Sequence, residues 1–84
     1  MNRDIIVKVK QDFQGSEENI ALNHLNSITL EHVMAKSQTN LDNTWHAILH
    51  LSQGDIKELI RLTQCAKRDF RDVIYWAISC DTLK

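Results

Sequence analysis

Two histidines, His46 and His50, stand four positions apart in the segment HAILH. On an α-helix this spacing places both rings on one side, which is the arrangement that helical zinc sites use. The segment carries no glutamate between the histidines, so the general base of a metalloprotease is missing. Both positions also fall outside the apolar face that begins at Leu41 and Trp45. The sequence therefore predicts two surface histidines and no metal site.

The other side chains that bind metals or act as nucleophiles do not form a motif. They are His24, His32, Cys65 and Cys80. None has zinc-finger spacing, no glycine-rich turn presents a serine, and no glycine-rich phosphate loop occurs. We interpret the cysteines as reduced, half-buried thiols of a cytosolic protein, and His24 as a histidine at the edge of the core. These features predict a protein without catalytic residues and without a cofactor.

Length and composition limit the class of protein. The chain has 84 residues, of which 43% are hydrophobic and 25% charged, with a formal net charge of -1. These values predict a single domain over residues 1–84, with a thin core and no long-range attraction to nucleic acid. No apolar run reaches the length of a membrane span, and the charged N-terminal segment does not resemble a secretory signal. We therefore expect a cytoplasmic protein that does not bind membranes.

The segment DFRDVIYWAISC, residues 69–80, predicts the last helix, around which the rest of the chain packs. Its apolar side chains recur at helical spacing: Phe70, Val73, Ile74, Ala77 and Ile78. Asp69 precedes them at a capping position. Trp76 and Cys80 widen the apolar arc beyond the stripe of a plain surface helix. Either neighbouring helices contact this helix on two sides, or Tyr75 and Trp76 form an exposed edge for a partner.

The first half of the chain is ambiguous in two places. Residues 4–14 alternate as a strand does, but they also fit a helix with Asp4 as its cap and Gly15 as its stop. We choose a helix because no later segment predicts a partner strand. Residues 17–27 and 30–36 fit two short helices, with Thr29 capping the second, or one bent helix.

The second half is clearer. Residues 37–40 are polar and predict a loop, with Asn40 capping a helix that ends at Gly54. Asp55 then caps a further helix. Together the segments predict an all-α domain, a compact orthogonal bundle of five or six short helices. Its expected core is Leu25, Ile48, Leu59, Phe70, Val73, Ile74 and Ala77.

A pattern near the C-terminus resembles small bacterial helical proteins of unknown role. It consists of Gly-Asp, ten residues, Ala, two residues, Asp-x-Arg-Asp-Val, two residues and Trp-Ala. Its fixed positions here are Gly54, Asp55, Ala66, Asp69, Arg71, Asp72, Val73, Trp76 and Ala77. The resemblance implies a compact helical protein and carries no activity with it.

A helix-turn-helix that binds DNA is the specific alternative. Residues 56–63 would form its first helix and residues 67–76 its recognition helix, with Lys67, Arg68 and Arg71 reaching phosphates or bases. Ile60 stands where close packing needs a small residue, and Gln64 where the turn usually has glycine. The carboxylate of Asp69, like that of Asp72, would also face the negatively charged groove.

The preferred interpretation is a small non-catalytic protein that binds a protein partner or associates with itself. Large contact residues and charges of both signs lie together on the last two predicted helices. The candidate partner-binding residues are Arg68, Arg71, Tyr75 and Trp76.

Overall fold

The computed structural model describes residues 3–33 and 37–82. This part of the chain contains α1 (Arg3–Asp12), α2 (Ser16–Asn26), a 3-10 turn (Leu30–His32), α3 (Gln38–Ser52) and α4 (Ile56–Thr82). No β-strand occurs in these two ranges. The predicted all-α class is confirmed, and the ambiguous residues 4–14 lie almost entirely in α1.

The predicted five or six helices in an orthogonal bundle are slightly off. The described residues contain four α-helices, the last of which, Ile56–Thr82, comprises two helical segments joined by a kink at Asp69. The predicted helix over residues 30–36 contributes only a 3-10 turn, and residues 34–36 lie outside the described ranges. The most extensive packing joins α3 to α4, which follow each other through a short turn.

One hydrophobic core joins all four helices. Its fully buried large side chains include Ile5, Val9, Phe13, Leu25, Ile28, Ile48, Leu49, Leu59, Leu62 and Val73. Six of the seven predicted core residues are buried, whereas Ile74 is only partly buried against this cluster. Leu62 and Ala66 are also buried, although neither was among the predicted core residues, whereas Ile56 and Ile60 of the same helix are half-buried.

The start of α3 differs from the prediction. Ser37 is the N-cap, and its hydroxyl accepts a hydrogen bond from the backbone amide of Asn40 at 3.3 Å. Asn40, the predicted cap, therefore lies inside the first turn, and three of the four predicted loop residues are helical. Polar side chains suit a loop and a first helical turn equally well, so composition alone placed this boundary too late.

The turn between α3 and α4 contains two consecutive residues with positive φ. Gln53 ends α3 with φ 46 and ψ 45, and Gly54 follows with φ 83. Asp55 then caps α4, since its Oδ1 accepts from the amides of Lys57 at 3.0 Å and Glu58 at 3.4 Å. A Cβ added to Gly54 would lie 3.2 Å from the carbonyl oxygen of Asp12. The turn therefore packs directly against the end of α1.

Adjacent substitutions in this turn should change stability in opposite directions. Gln53→Gly should stabilise the fold by about 0.5–1 kcal/mol, because glycine adopts left-handed backbone angles without a Cβ clash. Gly54→Ala should destabilise it by about 1 kcal/mol or more, because it adds both strain and a close contact with Asp12. Urea unfolding followed by circular dichroism measures both changes. Equal signs for the two variants would contradict this account.

Within the described residues, no helix is both long and apolar enough to cross a membrane.

Candidate functional site

The break in α4 is the local feature that positions the candidate site. Asp69 has extended backbone angles, φ -156 and ψ 101, between two helical segments. Its Oδ1 accepts a hydrogen bond from the backbone amide of Arg71 at 3.1 Å, as an N-cap carboxylate does. The predicted capping role of Asp69 is therefore confirmed, and the second helical segment of α4 begins after it, across the kink.

The Asp69 side chain also holds the guanidinium of Arg71. Arg71 Nε donates to Oδ1 and Nη2 donates to Oδ2, both at 3.0 Å. These side-chain hydrogen bonds, followed by the bond from the Arg71 amide, lower the pKa of Asp69. Because the pair is exposed to solvent, its direct contribution to stability is small. The main effect of the Asp69–Arg71 pair is on geometry, because it holds the Arg71 guanidinium beside the break.

Replacing Asp69 should separate its two roles. Asp69→Ala removes the cap and should lower the melting temperature by a few degrees, whereas Asp69→Asn and Asp69→Ser should recover most of that loss. Because folding lowers the pKa of Asp69, its carboxylate stabilises the folded protein at pH values above 3.8, the usual pKa. This stabilisation is lost as the pH falls through the lower pKa of the folded state. The gap between the native chain and Asp69→Asn should therefore narrow below about pH 4. Melting temperatures that stay equal for the native chain and Asp69→Ala would contradict this role.

Three large apolar side chains are exposed in the second helical segment of α4, six to nine positions after Asp69. Tyr75 is 67% exposed, Trp76 40% and Ile78 61%. Ile78 shares the apolar spacing of Val73 and Ala77 but is exposed, and it lines the groove between α3 and α4. Neighbouring helices therefore do not cover this helix on both sides. Its exposed side carries the apolar surface that the second interpretation of the sequence required.

The four predicted partner-binding residues do not form one edge. Arg68 and Trp76 line a cleft of about 400 Å³ along α4, together with Cys65, Asp69 and Asp72. Tyr75 and Arg71 do not line it. On a helix, adjacent residues point about 100° apart, so Tyr75 and Trp76 face different directions.

Three residues of this cleft, Cys65, Asp69 and Asp72, were not among the predicted site residues. Asp72 lies midway between Arg68 and Trp76 at i+4 spacing, and Cys65 lies seven positions before Asp72. This spacing would have revealed the shared face if the helix had been expected to continue across Asp69. Cys65 is a free, half-buried cysteine, as predicted, whereas the side chain of Cys80 lies outside the described part of the structure.

The histidine pair faces a separate groove between α1 and α3. His46 is exposed and His50 half-buried, and both line this groove of about 820 Å³. Across from them Lys8 pairs with Asp12 at 3.3 Å. Within residues 3–33 and 37–82, no group of three or more His, Cys, Asp or Glu side chains is arranged to hold a metal ion. His24, the predicted core-edge histidine, is half-buried in α2.

The predicted helix-turn-helix boundaries are wrong. Residues 64–66, which would form the turn, are helical, and Ala66 is completely buried. The break falls at Asp69, inside the segment proposed as the recognition helix. Of the three expected DNA-contacting cations, Arg71 is bonded to Asp69.

No protein-family model, no curated protein and no solved structure matches the chain. The resemblance of residues 54–77 to small bacterial helical proteins therefore remains a prediction. The structure thus defines a small all-α protein whose most distinctive surface is the exposed side of α4.

Proposed function

We propose that this chain is a non-catalytic interaction protein that binds a protein partner through the second half of α4. The observation that carries the proposal is the exposure of Tyr75, Trp76 and Ile78 in the helical segment that follows the break at Asp69. Tyrosine and tryptophan are the side chains most often found at the energetic centre of protein interfaces, alongside arginine. Exposed apolar patches bounded by charges are typical of such surfaces.

The surrounding charges support the same function. Arg68, Asp69 and Asp72 line the cleft together with Trp76, and Asp69 is bonded to Arg71, which lies outside the cleft. They supply the polar rim that makes an apolar contact specific.

We also place the protein in the bacterial cytoplasm. The support for this is the free thiol of Cys65, which is typical of a reducing compartment, and the resemblance of its C-terminal pattern.

Site-specific photo-cross-linking in the native cell tests the proposed surface. A photoreactive phenylalanine analogue at Tyr75 should yield a discrete cross-linked species, and Trp76→Ala in the same chain should abolish it. The matched control is the same analogue at Val7, an exposed apolar residue on α1 that is 46% exposed. A cross-linked species at Val7 but not at Tyr75 would place the interaction surface elsewhere.

The DNA-binding alternative makes a different prediction. A gel shift at low and moderate salt should detect no complex for the native chain, for Asp69→Asn or for Arg71→Ala. If α4 reads DNA, Asp69→Asn should strengthen binding, and Arg71→Ala should weaken it and reduce its salt dependence by about one phosphate contact. A salt-sensitive shift with that pattern would replace the proposed function with the alternative.

A further inference from the structure

The charged residues around the break in α4 alternate in sign. When the same segment is aligned with a second copy that runs in the opposite direction, positive positions meet negative ones. The segment reads Arg68, Asp69, Phe70, Arg71, Asp72, with signs plus, minus, neutral, plus, minus. If a second α4 runs antiparallel about a two-fold axis at the level of Phe70, position 68 meets position 72 of the other copy. Arg68 and Asp72 both line the cleft, so each then faces a charge of opposite sign, whereas Asp69 and Arg71 stay bonded to each other.

Two of these charges have no hydrogen bond or ion pair among the residues that the structure describes. Asp69 and Arg71 are bonded to each other at 3.0 Å. Arg68 and Asp72, in contrast, make no ion pair or hydrogen bond with any residue that the structure describes, although both line one cleft and are exposed. The arrangement leaves one cation and one anion available at the positions that a two-fold axis would bring together.

The apolar residues of the cleft fit the same symmetry. Cys65 and Trp76 lie on either side of the kink at Asp69, and both line the cleft. In an antiparallel pair, the Trp76 end of one cleft lies over the Cys65 end of the other. Each copy thereby covers the partly exposed Trp76 indole of the other copy. The net charge of -1 opposes the approach of two copies only weakly.

We infer that a second copy of this chain is a partner of this surface, and that the two copies pack α4 against α4 in antiparallel orientation about the break at Asp69. Arg68 of each copy pairs with Asp72 of the other. This inference rests on the proposed function, because it names the partner of the same surface. The contact is isologous, as closed two-fold dimers require. Since the cleft is small, the dimer should be weak, with a dissociation constant on the order of 10–100 μM.

Charge reversal with sedimentation equilibrium tests the pairing. Arg68→Glu and Asp72→Arg should each weaken self-association at least about tenfold, because each creates two like-charge contacts across the axis. The double variant Arg68→Glu, Asp72→Arg should restore association to within about threefold of the native chain. Lys67→Glu is the matched control, since it makes the same change in net charge at an exposed neighbour outside the cleft and should change association less than about twofold.

Mixing the single variants makes the test sharper. Arg68→Glu mixed with Asp72→Arg restores both ion pairs in the heterodimer, so the mixture should associate although each variant alone does not. Lys67→Glu mixed with Asp72→Arg has the same net charges, but its heterodimer keeps only one ion pair and sets one Arg68 against the new arginine. Lys67→Glu should therefore associate with itself in preference to the Asp72→Arg chain. Circular dichroism confirms that each variant stays folded.

The possible results separate this inference from the function on which it rests. A native chain that remains monomeric at several hundred micromolar overturns the self-association, whereas cross-linking at Tyr75 would still identify a different protein partner. A native dimer that is insensitive to both reversals also overturns the inference, because the two copies then meet through another surface. The inference is supported if the single variants lose self-association and the double variant and the mixture of single variants recover it.

Discussion

Leu59→Ala should destabilise the protein by about 2–5 kcal/mol, the range observed when a fully buried leucine is truncated. Leu59 has no exposed surface and lies in the core where α4 packs. Since a chain of 84 residues has a total stability on the order of 4–12 kcal/mol, this single change should unfold a measurable fraction of the molecules. Urea unfolding followed by circular dichroism should show a lower midpoint with an unchanged slope.

The control for Leu59 lies on the same helix. Ile78→Ala also shortens an aliphatic side chain, but Ile78 is 61% exposed, so its loss should stay within about 0.5 kcal/mol. Ile74 is half-buried, and Ile74→Ala should fall between the two. If Ile78→Ala cost as much as Leu59→Ala, the assignment of the buried face of α4 would be wrong.

The second large effect is expected at Trp45, the side chain that connects α3 to the end of α2. Its indole is buried, and Nε1 donates a hydrogen bond to the carbonyl oxygen of Leu25 at 2.8 Å. Trp45→Ala should cost about 3–5 kcal/mol, because it removes both the bond and a large packed volume. Trp45→Phe retains most of the packing and should cost about 1–2 kcal/mol.

The same carbonyl also accepts a hydrogen bond from the backbone amide of Ile28 at 3.1 Å. Loss of the indole donor therefore does not leave the carbonyl oxygen without any partner, and this is why the phenylalanine variant is expected to remain folded. Thermal unfolding of the two variants measures the difference. Trp76→Ala is the control, because Trp76 is partly exposed and its truncation should cost much less. Equal losses for Trp45→Phe and Trp45→Ala would assign the whole effect to the hydrogen bond.

Much of the helical framework could be predicted because a few positions carry strong local signals. Asp55 and Asp69 are acidic residues directly before apolar helical patterns, and each side chain accepts from an amide of the following turn. The face from Leu41 to Ser52 repeats at helical spacing, and it is buried as predicted. These signals depend on neighbours within about one helical turn, so the sequence alone contains them.

The candidate site could be predicted only in part, because its composition depends on contacts between distant segments. Trp76 and Ile78 lie at opposite edges of the apolar arc of α4, and periodicity does not show which edge another helix covers. Which residues line the cleft depends on the backbone direction at Asp69, because the cleft includes residues from both sides of it. Since the helix on each side of this residue stays in one element, Cys65 joins the same surface as Trp76.

The extended backbone of Asp69 also has a consequence for local unfolding. An α-helix frays from its ends by successive loss of hydrogen bonds, and a residue without helical angles interrupts that succession. Residues 70–82 and residues 56–68 should therefore open as separate cooperative units. In native-state hydrogen exchange, amides near the end of α4 should exchange through local opening of the helix end. This opening should extend no further than Asp69. Amides around Leu59 and Leu62 should exchange only when the whole protein unfolds.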